Sequence, residues 1–328
     1  MKKKVDLKHP KGKSNRSKIF DLFRKMNIFN VIVKKFLLNI IPKYFIINNS
    51  CQVCNSRSEI ICSSDNHLMS KRTEFKNFIR YILGKKLFFS KITRCNSCGF
   101  SSVISVPTEK KLIKFYKNNY WDSEFVNSNK MQKFLILRSS SQTKFILKSL
   151  QKDEIGNVLD IGGGHCATSL KLREIQNYQL KLFSLEENTH FIDYYIKNKI
   201  EQIKDLKSFK KKFKIIIMSH SLEHFANPLI TLKKFINYLE NNGYIFVEVP
   251  NTTSDYWLND YRDNEHLSFF TLKSLEIIGR NLGLTKVSSM IVGNCLNNPK
   301  ERENIFKNEN LWNASQTNGE WIRIIFKK

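Results

Sequence analysis

The residues best suited to chemistry fall into three groups. Ser219-His220-Ser221-Leu222-Glu223-His224 sets two imidazoles and a carboxylate within five positions, and Glu265-His266 adds another acid–imidazole pair. Histidine is the side chain best poised to move a proton near neutral pH, so both segments are candidates for general acid–base work. Cys51-x-x-Cys54 and Cys95-x-x-Cys98 are matched pairs, each able to place two thiolates on one tight turn. Between them and the histidines lies Val158-Leu159-Asp160-Ile161-Gly162-Gly163-Gly164, an apolar run that ends in glycines. Glycines between a strand and a helix let backbone N–H groups approach a ligand at the helix N-terminus. An acid about 20 residues on suits the cis-diol of a ribose. Glu186 fills that role, with Glu187 the fallback; Glu187 better fits an acid that complements a helix dipole.

These groups need elements to hold them. From residue 157 strands and helices alternate, which implies a parallel sheet covered on both faces. The pattern predicts strands at 157–161, 180–185, 213–218, 243–249, 284–292 and 320–327, with a short one near 200–203. Helices are predicted near 166–176, 188–198, 228–241 and 271–282. Asn227-Pro228 opens the third of these and Thr271 caps the fourth. Residues 130–151 read as an amphipathic helix leading into the glycine motif, and 107–121 as a short helix followed by Tyr120 and Trp121. Residues 293–319 read as a long loop. In an open parallel sheet, ligands bind beyond the C-terminal strand ends, where Asp160, Glu186, Ser219 to His224 and Pro250-Asn251 all fall.

The organisation is threefold: a basic amphipathic extension over 1–50, a zinc-ribbon-like segment and connector over 51–125, and an α/β domain over 126–328. The 328 residues carry a formal charge of +26, and residues 1–50 alone hold 13 Lys/Arg against Asp6 and Asp21. Much of that excess reads as the Lys-, Asn- and Ile-rich usage of an AT-rich genome. Ile19, Phe20, Leu22, Phe23, Met26, Phe29, Val33, Phe36, Leu37 and Ile40 form an apolar stripe within 18–47. It suits docking on protein, with peripheral contact to an anionic membrane as the other reading. No apolar run is long enough to span a bilayer and no secretory leader is evident, so the expected location is the cytoplasm. Seven cysteines, four of them in two pairs, fit metal ligation better than a secreted disulfide framework. Four thiolates close a tetrahedral zinc site, and Cys62 and His67 are spare candidates.

In this order the motifs resemble the class I S-adenosylmethionine-dependent methyltransferases. The likeness is to the small-molecule branch that carries an N-terminal zinc-binding segment and includes sugar C-methyltransferases. Val158 to Gly164 looks like the family's cofactor loop, Ser221-Leu222-Glu223-His224 followed by Pro228 its segment after the fourth strand, Gly243 to Asn251 its fifth strand, and Glu265-His266-Leu267-Ser268-Phe269-Phe270 its Glu-His/Phe-Phe signature. The resemblance implies a Rossmann-like sheet whose last strand is antiparallel and lies between its neighbours. It implies S-adenosylmethionine held by Asp160, Gly162, Gly163, Gly164, Glu186, Ser219 and Leu222, with structural zinc on Cys51, Cys54, Cys95 and Cys98. His266 is the first candidate base, oriented by Glu265, with His220 and His224 as alternatives. The implied substrate is a small molecule, a sugar or saccharide precursor methylated at oxygen or carbon; the basic surface suits an anionic nucleotide- or lipid-linked one. No specific nucleic-acid partner is expected. Cys166 stands where the family often has a third glycine and adds bulk beside the cofactor; Lys214 and Asp263 are further departures. Two alternatives remain at this point. Gly162-x-Gly164-x-x-Ala167 formally fits an NAD(P)-binding oxidoreductase or epimerase, and the cysteine pairs with the positive charge fit a zinc-containing RNA methyltransferase.

Overall fold

The computed structural model describes residues 50–60, 92–103, 108–118, 128–150, 156–176, 179–253, 256, 266–295, 305 and 310–328. The apolar stripe of 18–47, Cys62, His67, Tyr120, Trp121, Asp263 and Glu265 lie outside them.

In chain order, three short strands come first: β1 (Ser58–Ile60), β2 (Ile92–Cys95) and β3 (Ser101–Val103). Helices α1 (Glu109–Asn118) and α2 (Asn129–Ser149) lead to β4 (Val158–Ile161) and α3 (Ala167–Ile175). Then come β5 (Leu182–Leu185), α4 (Ile192–Lys197), β6 (Ile200–Gln202), β7 (Phe213–Ser219), α5 (Pro228–Ile236) and β8 (Leu239–Pro250). The chain ends with β9 (Ser268–Phe269), α6 (Leu272–Asn281), β10 (Thr285–Cys295), α7 (Asn310–Asn313) and β11 (Gly319–Lys327).

Seven strands form one sheet in the order β10-β11-β8-β7-β4-β5-β6. β6, β5, β4, β7 and β8 pair in parallel, while β11 runs antiparallel between β8 and β10. This is the inserted antiparallel strand that the resemblance implies and that distinguishes it from a dinucleotide-binding sheet. Side chains alternate across the sheet with the period-2 pleat. Leu159, Ile216, Val247 and Ile324 pack on one face with Leu232 and Phe235 of α5 and Leu275 and Ile278 of α6. Val158, Ile215, Ile217 and Phe246 pack on the other with Phe145 and Ile146 of α2, Leu172 of α3 and Tyr195 of α4. Burial on both faces explains why these strands read as continuous apolar runs.

The second sheet, β1-β2-β3-β9, joins the cysteine segment to the α/β domain. β9 comes from the Glu-His/Phe-Phe segment and pairs with β3 through Ser101↔Phe269 and Ser102↔Ser268. Thr271 Oγ1 donates to the carbonyl of Cys98 at 2.6 Å, and Asn281 Nδ2 to that of Val53 at 2.7 Å. Thr271 also closes a capping box with Ser274, so one threonine starts α6 and anchors the cysteine turn.

Two expectations need correction. The helix expected over 228–241 stops at Ile236, and β8 begins at Leu239, paired with Phe213. Asn242 takes a left-handed φ of 60°, and Gly243 lets the strand resume against Leu239. The expected loop 293–319 is partly structured: β10 continues to Cys295, and α7 carries Trp312, which is buried and stacked on Trp321 with ring centroids 5.3 Å apart. Apolar burial of that indole outweighs the polar sequence around it.

Candidate active site

The glycine loop follows β4 because the chain must turn sharply there before α3. Gly162 and Gly164 have φ of 63° and 49°, in the left-handed region that favours glycine. A Cβ on Gly162 would sit 2.9 Å from Cβ of Ser221, so the loop lies directly against the turn after β7. A Cβ on Gly163 would meet Cys166 Sγ at 2.6 Å and Asp160 Cγ at 3.1 Å.

Asp160 lies beneath the loop, where Ser169 Oγ of α3 donates to its Oδ2 at 2.6 Å. Burial pushes its carboxyl up to about 7 against the opposing effect of that hydrogen bond. Glu186, at the end of β5, accepts from the N–H of Gly164 at 3.1 Å through Oε2 and from the N–H of Asn188 at 2.9 Å through Oε1. Burial raises its carboxyl, and the two N–H bonds counter the rise. Asp160, the three glycines and Glu186 are thus one assembly, a glycine cradle with an acid at its rim that fits a ribose-bearing cofactor.

Cys166 stands at the position where a third glycine was expected. It adopts φ 48°, ψ 36°, the conformation a glycine would take, at a steric cost. Its side chain is 1 % exposed and packs among Val158, Leu172 and Tyr195 in the core. The sulfur lies buried against Gly163, where an added Cβ would meet it at 2.6 Å. Burial holds its thiol well above the ordinary range.

β7 and its following turn carry the acid–base groups. Ser219 Oγ accepts from Arg138 Nη2 at 3.0 Å and from Gln142 Nε2 at 2.9 Å, both on α2. His220 has a φ of 53°, so the strand end is sharply turned. Its Nδ1 lies 3.3 Å from Glu223 Oε1 and its Nε2 3.3 Å from Glu248 Oε1. Leu222 is fully buried in the core, so its side chain supports the turn from below. His224 Nδ1 is 3.1 Å from the hydroxyl of Tyr116 on α1. The carbonyl of Tyr116 accepts from Asn188 Nδ2 at 3.4 Å. α1 therefore bridges the strand ends of β5 and β7.

His266 comes to the same place from the other sheet. Its Nε2 is 3.9 Å from Glu223 Oε1, and its ring meets that of His224 edge-on at 4.9 Å between centroids. Burial first, then neighbouring His224, lowers its basicity to about 3, with Glu223 opposing. A group that weak is a poor base near neutral pH, which counts against His266 as first candidate.

Sequence reasoning missed Arg138, Gln142 and Arg323. Glu248, near the C-terminal end of β8, is fully buried and accepts from Arg138 Nε at 2.8 Å and from Arg323 Nε of β11. Burial opposes its ionisation, but the two guanidiniums outweigh that and keep it below its ordinary value. The signal was present in the sequence: a glutamate inside Tyr-Ile-Phe-Val-Glu-Val and an arginine inside Trp-Ile-Arg-Ile-Ile-Phe each need a buried partner of opposite sign.

The four paired cysteines converge. Cys51 Sγ lies 3.6 Å from Cys98 Sγ, and Cys54 Sγ 3.4 Å from Cys95 Sγ. Backbone N–H groups of Val53 and Cys98 point at Cys51 and Cys95 sulfurs, each at 3.4 Å. N–H groups that face sulfur stabilise thiolates, so the donor set fits a tetrahedral metal.

Residues 131–289 match a family model described as a methyltransferase domain. No curated protein matches. Among solved structures, the chain is similar to an S-adenosylmethionine-dependent methyltransferase from Archaeoglobus fulgidus at 20 % identity and TM-score 0.45, over 63 % of this chain and all of that one. A second, from Thermotoga maritima, gives 17 % and 0.44 over 62 % and 97 % of the two chains. A third, from Clostridium acetobutylicum, gives 11 % and 0.41 over 58 % and 90 %. Residues 131–289 are thus similar to a methyltransferase domain, and the sheet they help to build carries the antiparallel strand between β8 and β10.

Proposed function

We propose that this domain methylates a small-molecule acceptor, a sugar or saccharide precursor bearing an anionic nucleotide or lipid group. The observation that carries the reading is the juxtaposition of the glycine cradle with a turn rich in imidazole and carboxylate. Ser221 abuts Gly162, and His220, Glu223, His224 and His266 cluster around it. Bound in the cradle, S-adenosylmethionine supplies an electrophilic methyl on a sulfonium. The chain's own residues do the rest. Gly162 to Gly164 leave room for close backbone approach, and Glu186 offers a carboxylate to two ribose hydroxyls. Asp160 braces the loop through Ser169.

His220 takes the acceptor's proton in this reading. It is partly exposed at a strand end beside the cradle, with a carboxylate oxygen of Glu223 and one of Glu248 each 3.3 Å from a ring nitrogen. His266 is too weakly basic for the task. Cys51, Cys54, Cys95 and Cys98 hold a structural zinc, closed to catalysis because all four positions are protein sulfurs. The basic surface favours an anionic acceptor. The cytoplasm remains the proposed location; among the described residues no helix is long and apolar enough to cross a membrane.

The test is transfer of labelled methyl from S-adenosylmethionine to a panel of nucleotide sugars, with structured RNA as the comparison. Transfer to a sugar, lost by at least about a hundredfold in His220→Ala, supports the reading. Transfer to RNA alone contradicts it.

A further inference from the structure

Glu223 and Glu248 are both buried carboxylates at the strand ends, yet they are satisfied very differently. Glu248 holds two guanidiniums. Glu223 is 1 % exposed, and among the described residues neither of its oxygens has a hydrogen bond; imidazole nitrogens lie close, His220 Nδ1 at 3.3 Å and His266 Nε2 at 3.9 Å. A buried carboxylate without a hydrogen-bond donor is costly unless something positive joins it.

We propose that Glu223, His224 and His266 hold a divalent transition-metal cation beside the glycine loop. One ligand atom from each lies within 4.8 Å of the others. Bonds of about 2.1 Å to a common ion would put such atoms no more than about 4.2 Å apart, so the cluster closes with side-chain shifts of under about 1 Å. Two imidazoles and one carboxylate suit zinc, iron, manganese or cobalt and leave coordination positions open. Tyr116 holds the His224 ring through Nδ1, the outer support that ligating imidazoles carry. The backbone fixes the spacing: Leu267 N–H donates to the carbonyl of Glu223 at 2.8 Å, which ties the His266 segment to the turn after β7. Through its open positions the cation would orient an acceptor by adjacent hydroxyl oxygens. That last role rests on the methyl-transfer reading; the binding of the ion does not.

The test is a cobalt(II) titration of the full chain with the cysteine site already filled by zinc. The expected result is one further equivalent per chain with visible ligand-field bands and no sulfur-to-cobalt charge-transfer band. Glu223→Gln and His266→Gln should each weaken that equivalent at least tenfold while cysteine-bound zinc stays unchanged. An unchanged circular-dichroism spectrum and unfolding temperature in either variant show that its fold is intact. No second equivalent, cobalt seen only with the sulfur band, or a second equivalent unchanged in both variants would overturn the proposal. Calorimetry with S-adenosylmethionine on the same wild-type sample tests methyl transfer separately, so a failure there leaves the metal result standing.

Discussion

Two ligand clusters in this molecule look alike on paper and differ in how they are built. The cysteine cluster is closed: four sulfurs from two matched turns, with backbone N–H groups directed at two of them. The strand-end cluster is open: two imidazoles and a carboxylate from two distant segments, next to a glycine cradle. The first has everything a structural site needs and no room for a substrate. The second has reactive groups and room, but little to hold it together locally. The contrast matters because the two are physically linked. His266 stands two residues before β9, and β9 pairs with the cysteine segment's sheet. Thr271 then binds the carbonyl of Cys98. The closed cluster therefore sets where one member of the open cluster sits.

The strongest way to break that link is to remove Cys51 and Cys98 together. The double serine variant should lose about one zinc per chain by metal analysis. It should also lose methyl transfer, because β3 and the anchor at Cys98 go with it. Unchanged zinc content would refute the four-sulfur assignment, and full activity without zinc would refute the link.

A second, smaller effect probes the open side alone. The folded-state pKa of Asp160 is about 7, against 3.8 for the free group. The folded chain therefore binds this proton more tightly, and the contribution of Asp160 is fully favourable below about pH 4 and lost as pH rises through 7. Asp160→Asn, which can still accept from Ser169, should unfold at about the same temperature as wild type at pH 4. By pH 8 it should be more stable, by on the order of 4 kcal/mol at most. A difference that does not grow across that window would show that Asp160 is not buried as described.

The smallest effect is expected at Cys166. Cys166→Gly relieves a left-handed residue but empties a space in the core, so the two contributions offset to within about 1 kcal/mol. Affinity for S-adenosylmethionine should not change, because the sulfur is buried against Gly163. A tenfold gain in affinity would mean that the sulfur intrudes on the cofactor after all.

How much of this was legible in the sequence follows from where information is local. All seven strands of the main sheet were readable, since burial on both faces forces apolar runs such as Ile215 to Met218 and Ile322 to Phe326. The glycine loop, Glu186 and the cysteine pairs were readable because each is a short motif whose chemistry depends on spacing. The end of α5 was not, because a non-local pairing of Leu239 with Phe213 overrode a continuous helical pattern. Neither was the β9 connection: two residues of strand carry almost no periodic signal, and their partner lies more than 160 positions away. The Arg138–Glu248–Arg323 network was half legible, since its charges are out of place in their strands but their pairing is tertiary.

The central claim is that the glycine loop and Glu186 form a sulfonium-cofactor site rather than a dinucleotide site. Calorimetry on the zinc-loaded full chain, with S-adenosylmethionine and separately with NAD, addresses it most directly. About one equivalent of S-adenosylmethionine should bind, weakened roughly tenfold or more by Glu186→Gln, and NAD should not bind. Binding of NAD without S-adenosylmethionine would contradict it.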